Sequence, residues 1–138
     1  MRPTDRLPWT SSLAIFSYLV ALAIIFIGVR FIVAPLVGAE GFGIVVPHTV
    51  ADPYLLTKGV RDIASGIFVF CLVAAATRRV VGIYMLAASF IPCCDMLIVI
   101  SQIGPQPAPF MIHGGTAVTL WILAYFLLRG TNASAEAR

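Results

Sequence analysis

Residues Leu13–Ile27 read LAIFSYLVALAIIFI, a run without a charged side chain in which only Ser17 and Tyr18 carry a polar atom. The apolar character continues through Gly28 and Phe31 to Ala34, interrupted only by Arg30. About 20 apolar residues in helical form cross the roughly 30 Å hydrocarbon core of a bilayer, so this stretch predicts a membrane-spanning helix. Ser11 or Ser12 is a plausible N-cap, because a serine hydroxyl accepts from the unpaired amides of a first turn. Pro35 and Gly38 are expected to stop the helix. Arg2 and Arg6 followed by an apolar run imitate a secretory leader, but the run continues past the usual length and has no small-x-small cleavage site. A retained first helix is therefore expected.

The rest of the chain has the same bias. Of its 138 residues, 60% are apolar and 11% charged, and the mean hydropathy is +1.00. A soluble domain is nearer half apolar and about a quarter charged. This composition excludes a soluble enzyme, a disordered regulator and a nucleic-acid binder. The pI near 9.0 reflects nine Lys and Arg against six Asp and Glu, scattered without a basic run. Three further apolar segments are separated by breakers, so the expected fold class is all-α, a four-helix transmembrane bundle in a single domain over residues 1–130. Its spans are expected at about residues 12–34, 53–77, 80–103 and 109–128. A loop from Val37 to Ala51 carries Glu40, Pro47 and His48, the latter read as a solvated loop residue. Asp52 and Pro53 form an N-cap and first-turn proline pair. Gly104, Pro105, Pro107 and Pro109 make a rigid connection. Gly130 ends the last span, with a disordered tail over residues 131–138.

Lys and Arg concentrate on the cytoplasmic side of membrane proteins. Arg2 and Arg6 precede the first span, Arg78 and Arg79 join the second to the third, and Arg129 and Arg138 follow the fourth. The other two connections contain neither, so both termini are expected in the cytoplasm of a multi-pass protein. This topology also discounts the sequon Asn132-Ala133-Ser134. Cys71, Cys93 and Cys94 lie in apolar runs without ligand spacing, and read as small apolar core residues. No metal site and no cofactor are expected.

Ionisable side chains inside a bilayer are costly, by about 2.5–3.5 kcal/mol each near a helix centre, so each needs a reason. The spans contain Arg30, Lys58, Arg61, Asp62 and Asp95, with His113 as a further titratable group. At about 1.5 Å per residue, Arg30 lies about 26 Å and Asp95 about 24 Å from the cytoplasmic ends of their helices. From the opposite face Lys58 lies about 8 Å, Asp62 about 14 Å and His113 about 6 Å deep. All four helices thus place polar groups in one layer toward the non-cytoplasmic face. Lys58, Arg61, Asp62 and Ser65 are spaced i, i+3, i+4 and i+7 on one helical face. Pro92 has no amide to give Ala88 and should kink the third span just before Asp95. His113, Gly114, Gly115 and Thr116 set an imidazole beside two residues without side chains, permitting close approach of a helix or ligand. The plain alternative is structural. Arg61 with Asp95, and Lys58 or Arg30 with Asp62, would then be neutralising pairs, and Arg30 and Lys58 would snorkel to headgroups.

With Lys58-Gly59-Val60-Arg61-Asp62-Ile63 in the second span and His113-Gly114-Gly115-Thr116-Ala117 in the fourth, the chain resembles a family of small four-helix membrane proteins of unknown function. It is similar in build to the wider DoxX-like group. The resemblance extends from about Ile27 to Leu128 and includes Gly28 with Arg30 and Pro92 with Asp95. It implies the fold and marks these residues, and it brings no settled reaction. Members of such groups look like redox-complex subunits in some cases and tailoring enzymes of lipophilic metabolites in others.

The first expectation is a membrane-embedded enzyme acting on a lipophilic small molecule, an isomerase, cyclase or oxidase of a polyketide or terpenoid in secondary metabolism. Asp95 or His113 would be the general base or acid. Arg61 and Lys58 would stabilise developing negative charge, and Asp62 would orient them. Arg30, Ser65, Gly114 and Thr116 would contact substrate entering from membrane lipid. The alternative is a non-catalytic membrane subunit of a redox or biosynthetic complex. In that case Gly59, Ser65, Gly66, Gly82, Ala87 and Ala88 would contact a membrane partner or a second copy. A proton or anion pathway is disfavoured, because no polar relay lies below Asp95. No nucleic-acid partner is expected.

Overall fold

The computed structural model describes residues 6–44, 46 and 52–136, with backbone alone for residues 52 and 130–136. Arg2, His48 and Arg138, with their expected roles, lie outside the described residues. Among the described residues the chain is all-α, with no strand and one isolated bridge between Arg6 and Thr77. The helices are α1 (Ser12–Val33), α2 (Pro35–Phe42), α3 (Asp52–Ala75), α4 (Arg78–Ala88), α5 (Phe90–Ile103), α6 (Pro107–Pro109) and α7 (Gly115–Glu136). A π-helical turn, Phe110–Gly114, joins α6 to α7.

Among the described residues, three segments are long and apolar enough to cross a membrane: Ser12–Val33, Arg78–Ile103 and Pro107–Arg129. The chain is thus built as an integral membrane protein. At 24 residues α3 has the length for a crossing, but it carries Asp52, Lys58, Arg61 and Asp62.

Local chemistry explains most boundaries. Ser11 caps α1 by accepting from the Ala14 amide at 3.3 Å, and Thr77 caps α4 by accepting from Val80. Pro35 does not simply end the first helix. It sits at the first position of α2, where a missing amide costs nothing, so the expected loop from Val37 begins as helix. Gly43, at φ 101°, closes α2 in the left-handed conformation that glycine adopts without strain. The third span is interrupted at Ser89, between α4 and α5. Pro92 lies four residues after Ala88 and cannot donate to its carbonyl, which accounts for the break. Ser89 is also a junction, accepting from Trp121 Nε1 at 2.8 Å and donating to Leu86 O. The helical backbone of α7 passes the expected end at Gly130 and continues to Glu136. A lone glycine weakens a helix by only about 1 kcal/mol, and Ala133, Ala135 and Glu136 are good helix formers.

The helices associate as two pairs, α1 with α3 and α4 with α7. The α1–α3 seam is made by small residues. A Cβ at Gly28 would come within 2.6 Å of the Gly59 carbonyl, and one at Gly59 within 2.7 Å of the Gly28 carbonyl. Gly82 likewise seats against Leu127 and Leu128 of α7. These glycines are consumed inside the chain, so the expectation that Gly59, Gly66 and Gly82 face a partner is corrected.

At the end of the molecule nearest the N terminus, Arg78 ties α4 to α7 within the second pair. Its Nη2 donates to Phe126 O at 2.7 Å and its Nε to Leu127 O at 3.1 Å. Arg78→Ala is expected to lower stability by about 2 kcal/mol, since charged hydrogen bonds contribute about 1.5–3 kcal/mol each and this pair is partly solvated. Thermal unfolding in detergent checks it, with Arg79→Ala, an exposed residue, expected to change little.

The cysteines are not core residues. Cys71 is exposed and Cys93 and Cys94 are intermediate, all three free. Cys71 lies on the outer apolar surface, where a small apolar side chain is equally at home, and Cys93 and Cys94 are half-buried.

Candidate functional site

Where the two pairs part, they enclose a cavity of about 610 Å³, within the range of about 300–1,000 Å³ usual for small-molecule sites. Every long helix contributes. Its inner part, toward the N-terminal end, is walled by Val20, Ile24, Val69, Met85 and Leu120. Its other end carries Arg30, Lys58, Asp62, Asp95 and His113. Five of the six titratable groups singled out in the sequence therefore reach one cavity, together with Ser65, Gly115 and Thr116.

Arg61 is not among the lining residues. It is exposed on the outside of α3. At 100° per residue, Lys58, Asp62, Ser65 and Val69 cluster within a narrow arc that faces the cavity, while Arg61 lies about 60° to one side of Lys58. Gly114 is also off the cavity wall, and a Cβ there would approach Met96 Sδ at 3.3 Å.

On α3, Lys58 Nζ donates to Asp62 Oδ2 at 2.9 Å, with side chains 28% and 13% exposed. This is the one ion pair among the described residues. The expected Arg61–Asp95 pair is absent from them, since Arg61 faces away. Lys58 is also held by two aromatic faces, its Nζ lying 5.0 Å from the Phe31 ring centroid and 4.7 Å from that of Phe42. Cation–π contacts of this kind reach about 2 kcal/mol when desolvated. Phe42 in turn lies edge-on to His113 with centroids 4.4 Å apart.

His113 sits at 5% exposure within the π-helical turn, a backbone irregularity that is frequent at functional sites. Its Nε2 lies 2.9 Å from Phe42 O. A carbonyl only accepts, so Nε2 carries a proton and Nδ1 is the nitrogen left to exchange one. Arg30 donates from Nη2 to Val37 O at 3.1 Å, and its guanidinium would lie 3.1 Å from a Cβ at Gly41. A Cβ at Gly43 would meet Pro109 Cγ at 2.7 Å. Helix α2 is thus tied to α1, the π-turn and α6, and covers the charged end of the cavity.

Asp95 differs from the other charged groups. It comes within electrostatic reach of Lys58, Asp62 and His113, yet among the described residues it has no hydrogen bond or ion pair. Its carboxylate is free to act on a guest. The hydroxyls of Ser65, Thr116 and Thr119 donate to the Arg61, Ile112 and Gly115 carbonyls of their own helices. They offer a guest lone pairs and methyl groups but no proton.

The model for a domain of unknown function, DUF4267, matches residues 21–127. The chain belongs to the DUF4267 family. The match spans every cavity-lining helix, from Ala21 on α1 to Leu127 on α7. No curated protein and no solved structure matches this DUF4267 chain.

Phe31, Phe42 and Tyr84 line the same DUF4267 cavity and were not legible as site residues. Apolar aromatics in a 60% apolar chain carry no signal of their own. Only the fold of α2 brings Phe42 back over Lys58, and Tyr84 lies in the inner, apolar part of the wall.

Proposed function

We propose that the protein is a membrane-embedded enzyme that transfers a proton within a lipophilic small molecule, of polyketide or terpenoid type, so that the substrate isomerises or cyclises. The observation that carries this reading is a cavity with apolar walls and one charged end, in which an unpartnered carboxylate, Asp95, faces an ammonium and an imidazole. Asp95 serves as the general base. Lys58 retains N–H bonds beyond the one given to Asp62, and stabilises the enolate or alkoxide that forms as the proton leaves. Asp62 and the rings of Phe31 and Phe42 fix the ammonium in place, so little reorganisation accompanies the reaction. Asp95 passes the proton it has taken to His113 Nδ1, basic while Nε2 is bound to Phe42 O. The imidazolium so formed gives it to a second position of the substrate, which restores both groups. Isomerisation and cyclisation are the reactions that such proton transfer accomplishes unaided.

In the same reading all four long segments cross the bilayer. Because α3 packs along α1, it crosses with it, its charges turned to the cavity apart from Arg61. Arg6, Arg78, Arg79 and Arg129 then lie at the cytoplasmic end, and the charged end of the cavity lies toward the opposite face.

The test is an extract comparison. Membranes containing the parent protein are incubated with lipophilic extract of the producing cells, and species that change are resolved by chromatography and mass. The expected result is one species converted to another of equal mass, absent with Asp95→Asn at equal expression. Identical profiles from the two proteins would sink the reading.

One observation favours a second reading, a non-catalytic membrane subunit. Arg61 stands on the apolar exterior of α3, where a carboxylate of a partner helix would match it. That reading predicts a stoichiometric partner in mild detergent that is lost on Arg61→Leu.

A further inference from the structure

The cavity also indicates what kind of molecule fits it and by which path. Two cations, Arg30 and Lys58, and two carboxylates, Asp62 and Asp95, line its charged end. These are formally balanced before anything binds. A guest with a net charge would leave that charge uncompensated in a partly buried site with apolar walls, which is penalised. Yet a guest without polar atoms would leave Asp95 without a donor. The complementary head is therefore neutral and both donates and accepts, giving its proton to Asp95 and taking one from Lys58. An alcohol or phenol hydroxyl does both. The hydroxyls of Ser65, Thr116 and Thr119 are spent on backbone carbonyls, so the donor must come from the guest.

The path follows from what covers each side. The charged end is covered in part by α2, held through Arg30 to Val37, Phe42 to His113, and Gly43 to Pro109, with Arg30 at its exposed rim. The side between α1 and α5 with the π-turn is different. Phe26 (68% exposed) lines the cavity from α1, Ile91 (56%) from α5, and Met111 (71%) and Ile112 (47%) from the π-turn. These residues are at once cavity wall and outer surface, which is the signature of an opening. All four are apolar and lie in segments fit to cross a membrane, so the opening faces lipid.

We propose that the cavity takes a neutral lipophilic alcohol or phenol directly from the bilayer, sideways between α1 on one lip and α5 with the π-turn on the other. This rests on the reading that the cavity holds a lipophilic molecule, but not on any turnover.

The test uses the full chain in phosphatidylcholine nanodiscs with three photoactivatable probes: a C16 alcohol bearing a mid-chain diazirine, its methyl ether, and the matching C16 acid. Labelled residues are mapped by mass spectrometry. The alcohol is expected to label inner-wall residues on α1, α3 and α7, and the ether, which cannot donate to Asp95, about 10- to 100-fold less at equal concentration. The acid is expected below the alcohol. Ether labelling equal to the alcohol, acid labelling above it, or alcohol labelling confined to the outer surface would overturn the assignment. For the path, probe is delivered from donor vesicles and labelling is followed in time. Phe26→Trp with Ile112→Trp is expected to slow labelling severalfold, and Ile91→Ala with Met111→Ala to hasten it. A control pair, Phe16→Trp with Val118→Trp, is also exposed but off the cavity wall, and should match the parent. Equal rates in all three would overturn lateral entry. Labelling of the cavity without any product from cell extracts would refute the enzymatic reading and leave this one standing. Product without alcohol-selective labelling would do the reverse.

Discussion

Asp95→Asn is expected to lower turnover by about 10²–10⁴-fold, the contribution typical of a positioned general base. The substitution preserves shape and nearly preserves volume, and Asp95 has no protein hydrogen bond among the described residues to lose. Helix packing should therefore be unchanged, and the loss should fall on kcat. Asparagine still accepts a hydrogen bond from the guest but cannot keep its proton. The alcohol probe should accordingly still label the Asp95→Asn protein, at a level intermediate between parent and ether. Lys58→Met supplies the complementary case: it removes the stabilising charge and leaves Asp62 half-buried without its partner. It should lose activity and some stability, less than the about 3–5 kcal/mol typical of breaking a fully buried pair. His113→Gln separates two roles of the imidazole. An amide N–H replaces the tie from Nε2 to Phe42 O, while the basic Nδ1 is gone, so α2 should stay in place and proton return should fail. Product formation per unit of expressed protein, with thermal unfolding alongside, distinguishes these outcomes. Full activity in the Asp95→Asn protein would remove the carboxylate from the mechanism.

How much of this was legible in the sequence follows from the range of the signals involved. Helix identity is a local property, written in the apolar run from Leu13 and in the breakers after Ile103, and it was readable. So was the break near Pro92, because a missing amide acts on its own helix. Convergence of Arg30, Lys58, Asp62, Asp95 and His113 followed from depth, since rise per residue fixes height along a helix. Azimuth was harder. The spacing i, i+3, i+4, i+7 spans an arc wide enough for Arg61 to belong to the face and still miss the cavity. Helix α2 was hidden because Pro35 serves equally well as a terminator of one helix and the first residue of the next. With α2 went Phe42, the residue that holds both Lys58 and His113. Glycine was ambiguous for a different reason. A small residue on a helix permits close approach by any neighbour, within the chain or from another chain, and the sequence does not say which.

That ambiguity is resolved for Gly66, and its replacement is the largest stability effect to expect. A Cβ at Gly66 would stand 2.6 Å from the Ala21 carbonyl and closer still to Ile25 Cγ1. The carbonyl belongs to the α1 backbone and cannot rotate aside, so even alanine forces the helices apart. Overpacking usually costs about 1–3 kcal/mol. Gly66→Leu should exceed that range, because it also strips the contacts that the α1–α3 seam makes on either side. The seam repeats every seven residues, Gly59 and Gly66 on α3 meeting Ala21 and Gly28 on α1, so displacement at one level propagates to the next. Gly115→Ala is the matched control. Nothing lies within 4 Å of a Cβ there, the backbone is helical with φ −61°, and alanine should stabilise by about 0.4–1 kcal/mol through the unfolded state. Opposite shifts in thermal unfolding at Gly66 and Gly115 are the expected result. The consequence reaches the site, since α1 carries Arg30 and Phe31 while α3 carries Lys58 and Asp62. Prising the seam open withdraws the Phe31 ring from the ammonium and widens the cavity. Any Gly66→Ala protein that remains folded should therefore bind the alcohol probe less selectively over its ether than the parent does.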